Sequence, residues 1–146
     1  MCRGETALVL FKIYNMTHVA KSIVQEFLEA VQTGNFEKVG TLVHPEVIWD
    51  QPGSNQFSGR KRSLPEVFQM VGGMFQSSGN TLALTEIKTL AVCGDSVSCL
   101  LHWRARSSSG AELDVDNIDV YTVDGGVITS ARVFSADLEQ EDQFWG

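Results

Sequence analysis

Asp119 is the residue in this chain whose surroundings promise chemistry. It sits in Asn117-Ile118-Asp119-Val120-Tyr121, inside a segment rich in β-forming residues. Side chains alternate faces along a strand, so Leu113, Val115, Asn117, Asp119 and Tyr121 share one side and Ile118 and Val120 the other. Either assignment sends a carboxylate toward an apolar face, which is unusual for Asp. Desolvation disfavours the charged carboxylate and raises its pKa toward neutrality, which suits a general acid or base. Asp50, in Trp49-Asp50-Gln51-Pro52-Gly53, is a second candidate acid. Its simpler reading is a turn aspartate bonded to nearby backbone N–H groups.

Three further side chains depend on strand register. Ser98, Leu100, His102 and Arg104 share one face of their strand; turned inward, His102 would relay protons near neutral pH and Arg104 would hold a carboxylate or enolate. The opposite assignment turns Val97, Cys99, Leu101, Trp103 and Ala105 inward, and a slip of one residue exchanges the two faces. Arg132 lies with Ile128, Ser130 and Phe134. A buried arginine needs a partner, and Asp119 across the hairpin is one. That pair would keep Asp119 ionised and oppose the desolvation effect. Trp49, by its bulk, reads as pocket wall or core.

Other schemes lack their motifs. There is no G-x-S-x-G elbow, phosphate-binding loop or dinucleotide fingerprint, so no cofactor is expected. His18, His44 and His102 are not at metal-ligand spacing, so no metal is expected either. The net charge of −7 and pI near 4.8 argue against a nucleic-acid partner and against an acidic membrane surface. Cys2, Cys93 and Cys99 are an odd set without C-x-x-C spacing and read as reduced thiols in a cytoplasm. The apolar run Ala7–Phe11 is broken off by Lys12 and lacks a cleavage site, so neither a signal peptide nor a membrane span is expected.

The elements that must position these residues follow in order along 146 residues, 43% of them hydrophobic. Thr17 is a possible N-cap for a helix carrying Val19, Ile23, Phe27, Ala30 and Val31 at helical spacing, ended by Gly34-Asn35. A shorter helix through Phe36, Val39, Leu42 and Val43 closes at His44-Pro45. Val47-Ile48-Trp49 reads as a strand, and the following loop closes at Ser58-Gly59. Ser63-x-x-Glu66 is a capping box with Pro65 in the first turn, starting a helix that buries Val67, Phe68, Val71, Met74 and Phe75. Strands follow at 81–92, 96–106, 111–123 and 127–135, the last two joined by Asp124-Gly125-Gly126. Grouped helices followed by grouped strands imply an α+β fold. A curved sheet folded over a helix would enclose a conical pocket, the natural ligand site for that shape.

This order resembles the nuclear transport factor 2-like superfamily, in its SnoaL-like polyketide cyclase and ketosteroid isomerase branch. Three blocks carry the resemblance: Phe27-Leu-Glu-Ala-Val-Gln-Thr-Gly-Asn35, Val47-Ile-Trp-Asp-Gln-Pro-Gly-Ser54 with Ser58-Gly59, and Asn117-Ile-Asp-Val-Tyr-Thr-Val-Asp-Gly-Gly-Val-Ile-Thr129. The resemblance implies the cone-shaped, cystatin-like fold, with N-terminal helices packed on a strongly curved antiparallel sheet. It divides the chain into an extension at 1–15, the domain at 16–137 and an acidic tail at 138–146, in which Phe144 and Trp145 could dock. Asp50 falls where ketosteroid isomerases keep the carboxylate that shuttles a proton beside a carbonyl. Asp119 falls where they keep the protonated acid of the oxyanion hole, and where SnoaL-like cyclases place an acid/base aspartate. Phe27 and Phe68 stand where the isomerases have tyrosines, so a cyclase-like or other proton transfer fits better than steroid isomerisation.

The expectation is a protein that binds a small hydrophobic molecule, with Asp119, Asp50 and His102 doing chemistry. Trp49, Phe27, Phe68, Leu100, Arg104, Asn117, Tyr121, Arg132 and Phe134 would line the pocket. A non-catalytic binding or dimerisation domain is the alternative, and an epoxide hydrolase-like enzyme a third. A homodimer is expected from the family habit of packing the outer sheet face. The apolar stripe Val97-Cys99-Leu101-Trp103 offers a motive if it lies outside.

Overall fold

Asp124 and Val127 pair across the Gly125-Gly126 turn, where both glycines hold φ values of +60° and +80°. Those left-handed angles match the right-handed twist of the strands they join and suit glycine. The turn closes strand β5 (Glu112–Asp124) onto β6 (Val127–Ser135). Around this hairpin, a computed structural model describes residues 3–146. Cys2 lies outside the described residues.

The remaining elements are α1 (Arg3–Thr33), α2 (Phe36–Leu42), β1 (Val43–Gln51), β2 (Gly59–Lys61), α3 (Leu64–Ser77), β3 (Ala83–Cys93), β4 (Ser96–Arg106) and α4 (Leu138–Trp145). The strands form one sheet in the order β2-β1-β6-β5-β4-β3. All neighbours run antiparallel except β1 and β6, which are parallel, so the sheet is mixed rather than purely antiparallel. Register shifts interrupt the ladders of β1, β3 and β5, and such irregularities bend strands. The helices pack on the concave side, and the core lies between them and the sheet. This is the cystatin-like, cone-shaped α+β architecture.

Several local expectations change. The strand β1 begins at Val43, so His44-Pro45 lies within it instead of ending the second helix. Pro45 cannot donate to the ladder, and it falls inside the register shift between Val43 and Ile48, where such a donor is not required. Ser63 does cap α3 as expected, its hydroxyl accepting from the Glu66 N–H, while the Glu66 carboxylate accepts from the Arg62 N–H. Thr17, in contrast, is mid-helix. Residues 3–16 continue α1 without a break, because nothing between Gly4 and Gly34 disfavours a helix.

That extension is helical. The first buried side chain described in α1 is Ala20, beyond the extension, and Leu8, Leu10, Phe11 and Tyr14 are all more than half exposed. A chain starting at Met16 should therefore unfold in urea within about 0.5 kcal/mol of the full chain, since surface changes away from packed contacts cost little. A loss above about 2 kcal/mol would mean that the extension supports the core.

The face of β4 is decided against turning His102 and Arg104 inward. Val97, Cys99, Leu101 and Ala105 are buried inside, and Leu100, His102 and Arg104 point outward. The apolar stripe fills the core, so it supplies no motive for dimerisation. Ile118 and Phe134 also lie on the outer face, 46% and 45% exposed.

Candidate functional site

The cone holds a cavity of about 330 Å³, within the usual range for small-molecule sites. Phe27 and Leu28 of α1 and Val67, Phe68 and Met74 of α3 line one side. Trp49, Trp103, Leu113 and Val133 come from the sheet, and Trp145 from α4. No Lys, Arg or His is among the lining residues.

Asn117, Asp119 and Tyr121 reach this cavity because they alternate on the inner face of β5. Asp119 is 3% exposed. Its strand neighbours are Cys99 on β4 and Val133 on β6, both apolar and buried. The Tyr121 hydroxyl donates to Asp119 Oδ2 at 2.6 Å, and Asp119 Oδ1 has no partner. Burial pushes the Asp119 pKa up to about 7; the Tyr121 hydrogen bond pulls it down, and the neighbouring Glu141 charge raises it further. Tyr121 itself is pushed well above its ordinary value by burial and by Asp119, so it stays protonated and keeps donating. Cys99 rises to about 12 for the same reasons, burial first, and remains a thiol. Tyr121 also packs edge-on against Phe27 and Trp49, at ring-centre distances of 5.4 and 6.0 Å.

Arg132 does not pair with Asp119. The residue opposite Asp119 is Val133, so Arg132 faces outward, 5.2 Å from the centre of the exposed Phe134 ring. Alternation along β6 thus removes both Arg132 and Phe134 from the pocket. Among the described residues no cation offsets the desolvation of Asp119.

Asp50 is also outside. Trp49 and Gln51 face the cavity, and the Trp49 indole N–H donates to Gln51 Oε1 at 3.1 Å. Asp50, between them, points to the opposite face and takes two hydrogen bonds from Arg60 at 2.8 and 3.0 Å. That guanidinium holds its pKa below the usual carboxylate value. Asp50, expected as a second acid of the site, therefore does not join Asp119 at the cavity. His102 meets the same fate: its ring nitrogens face Asp116 and Asp114 on the outer surface, beside Lys88. Arg104 joins this exposed network through Asp114, 3.4 Å away, and Leu100 lies with them. Phe27, Phe68, Trp49, Asn117, Tyr121 and Asp119 are the expected residues that do come together.

Glu141 was not expected. It arrives from the C-terminal segment read as a polar tail, which instead forms α4 and closes the cone. Glu141 and Trp145 are both 5% exposed and face the cavity. Burial raises the Glu141 pKa, while hydrogen bonds to Ser135 and Asn117 pull it down; Glu141 Oε2 has no partner. The signal was the helical spacing of Glu141 with Trp145, which puts both on one face, but it is hidden in an eight-residue segment that is polar through its middle.

Loop contacts hold α4 in place. Asp137 caps it, accepting from the Gln140 N–H. Asp142 Oδ1 accepts from the Ser54 N–H and from Asn55 Nδ2, each at 2.8 Å. Gly53, at φ +91°, passes so close that a Cβ would lie 2.3 Å from Asp142 Oδ1. Gln56 donates to the Trp145 carbonyl at 2.6 Å, and Phe57 meets the Trp145 ring edge-on at 5.4 Å.

A curved sheet closed by helices, with a desolvated acid in its cone, defines a nuclear transport factor 2-like protein. Within that class the chain belongs to the SnoaL-like domain family, whose model matches residues 24–131. A protein of unknown function with a cystatin-like fold from Xanthomonas campestris is 35% identical, with a TM-score of 0.83 over 87% of this chain and 98% of that one. The uncharacterized protein Rv0034 of Mycobacterium tuberculosis is 26% identical over 84% of this chain and 93% of its own. A putative SnoaL-like polyketide cyclase from Jannaschia shares the fold at 16% identity, with a TM-score of 0.69 over 83% of this chain and 88% of that one.

Proposed function

We propose that this protein binds a small hydrophobic carbonyl compound in its cone and catalyses acid/base proton transfer on it, in the manner of an isomerase or polyketide cyclase. The observation that carries this reading is Asp119, an acid among the residues lining an apolar cavity, with no hydrogen-bond partner on Oδ1 and a pKa near 7. A group with that pKa is substantially ionised and substantially protonated at neutral pH, so it can both take and return a proton. The Tyr121 hydroxyl fixes the carboxyl through its other oxygen and leaves Oδ1 for the substrate. Ionised Asp119 removes a proton from the carbon beside the carbonyl, the electron pair moves onto the carbonyl oxygen as an enolate, and the protonated acid returns the proton to carbon. The cyclase named among the structures of this fold is consistent with such chemistry. Asp119 acts here without Asp50.

The test is deuterium exchange at the carbon beside the carbonyl of 2-decalone in heavy water, followed by mass spectrometry. The protein should accelerate exchange, and Asp119→Asn should remove at least about 100-fold of the acceleration, the low end of what general acid–base groups contribute. Asp50→Asn should leave it unchanged. Bound ketone, detected by tryptophan fluorescence, with no accelerated exchange would make the domain a binding module instead.

A further inference from the structure

Three buried polar side chains in the cone have an oxygen atom with no partner: Asn117 Oδ1, Asp119 Oδ1 and Glu141 Oε2. All three residues are at least 94% buried and line the same cavity. Asn117 and Asp119 are neighbours on the inner face of β5, and Glu141 lines the same cavity, close enough for its charge to raise the Asp119 pKa. An unpartnered buried oxygen is costly, so a site with three of them is built for a ligand that brings donors. A primary ammonium carries three N–H donors and no acceptor. A ketone brings no donor, an alcohol one, and a carboxylate would add negative charge beside two acids.

The charges agree with the hydrogen-bond count. The cavity-lining residues include two carboxyl groups and no cation. The cationic groups near the candidate acids lie elsewhere: Arg60 on Asp50, Lys88 on Asp116, Arg104 on Asp114, and Arg132 on the outer face over Phe134. Phe27 and Trp49 pack on the ring of Tyr121, whose hydroxyl bonds Asp119, and aromatic rings attract cations. Burying a charge is favourable only where it is paired and hydrogen-bonded, and here the partners are already in place.

We propose that the molecule bound in the cone is a hydrophobic amine, its protonated nitrogen held by Asn117, Asp119 and Glu141 and its apolar body by the rest of the cavity. This rests on the cavity being the ligand site and not on the proton transfer proposed above, because an ammonium on Asp119 holds that acid ionised and takes the oxygen that the transfer uses.

Calorimetric titration of the full chain with n-octylamine, 1-octanol and octanoate at pH 7.5 tests it, because the three are unbranched eight-carbon molecules that differ in the polar end. Octylamine should bind at least tenfold more tightly than octanol, and octanoate most weakly. Asp119→Asn and Glu141→Gln should each weaken octylamine about tenfold and leave octanol within about twofold, the second variant sparing the β5 core. Octanol or octanoate binding as tightly as octylamine would overturn the amine assignment while leaving the cone a ligand site. Octylamine binding that neither variant weakens would place the amine elsewhere and overturn it too. Tight, variant-sensitive octylamine binding without ketone exchange would support the amine and remove the proposed catalysis. Binding of none of the three would overturn the amine together with the ligand site.

Discussion

Asp119→Asn should melt at a higher temperature than the wild type at pH 8, and the gain should shrink markedly at pH 5. The reason is a carboxyl that folding makes harder to ionise. Its pKa is about 7 in the folded chain against an ordinary 3.8, so between those values the folded state binds more protons than the unfolded one. Stability then falls as pH rises through that window and levels off above about 7. At 1.36 kcal/mol per tenfold change in proton affinity, the full penalty is roughly 4 kcal/mol, of which about 3 kcal/mol develops between pH 5 and pH 8. For a domain of this size that corresponds to about 6–12 °C. Glu141, raised by burial as well, adds in the same direction. Asparagine is close in size, cannot ionise, and its carbonyl can still accept from Tyr121. Paired thermal melts at the two pH values measure the effect. A stabilised but inactive variant is the pattern expected where function is kept at a cost in stability. A variant less stable than wild type at pH 8 would instead make the Asp119 carboxylate a structural acceptor for Tyr121.

Trp145→Ala should cost about 3–5 kcal/mol in urea unfolding, the range for emptying a buried aromatic site. Trp145 is 5% exposed, packs edge-on against Phe57 and Phe144, and walls the cavity. Its backbone carbonyl also receives the Gln56 side chain, so the whole C-terminal helix depends on this corner. Loosening α4 withdraws Glu141 from the cone, and octylamine affinity should fall with stability. A loss below about 1 kcal/mol would show that α4 docks independently of the core.

Periodicity and turn chemistry were enough to read the order of elements. The Ser63–Glu66 box, the Gly34-Asn35 stop and the Gly125-Gly126 turn depend on local backbone preferences, and local preferences survive into the folded chain. The same is true of β5, where an acid alternating with apolar residues has only one inner face. That is why Asp119, with Asn117 and Tyr121, could be found without coordinates, and why the family resemblance held for the fold.

What needed the tertiary structure was every choice between two faces and every contact between distant segments. A one-residue change of face on β1, β4 or β6 moves Asp50, His102 or Arg132 in or out of the cone, and the local sequence is nearly indifferent to that choice. Packing decided it: Val97, Cys99 and Leu101 fill the core better than Ser98, Leu100 and His102 would, and the charged side chains found partners on the outer surface. Glu141 was hidden for another reason. Its address depends on α4 docking against a loop more than eighty residues earlier in the chain. Asp119 as a buried acid was written in the sequence; its isolation from arginine and its companionship with Glu141 are properties of the folded chain.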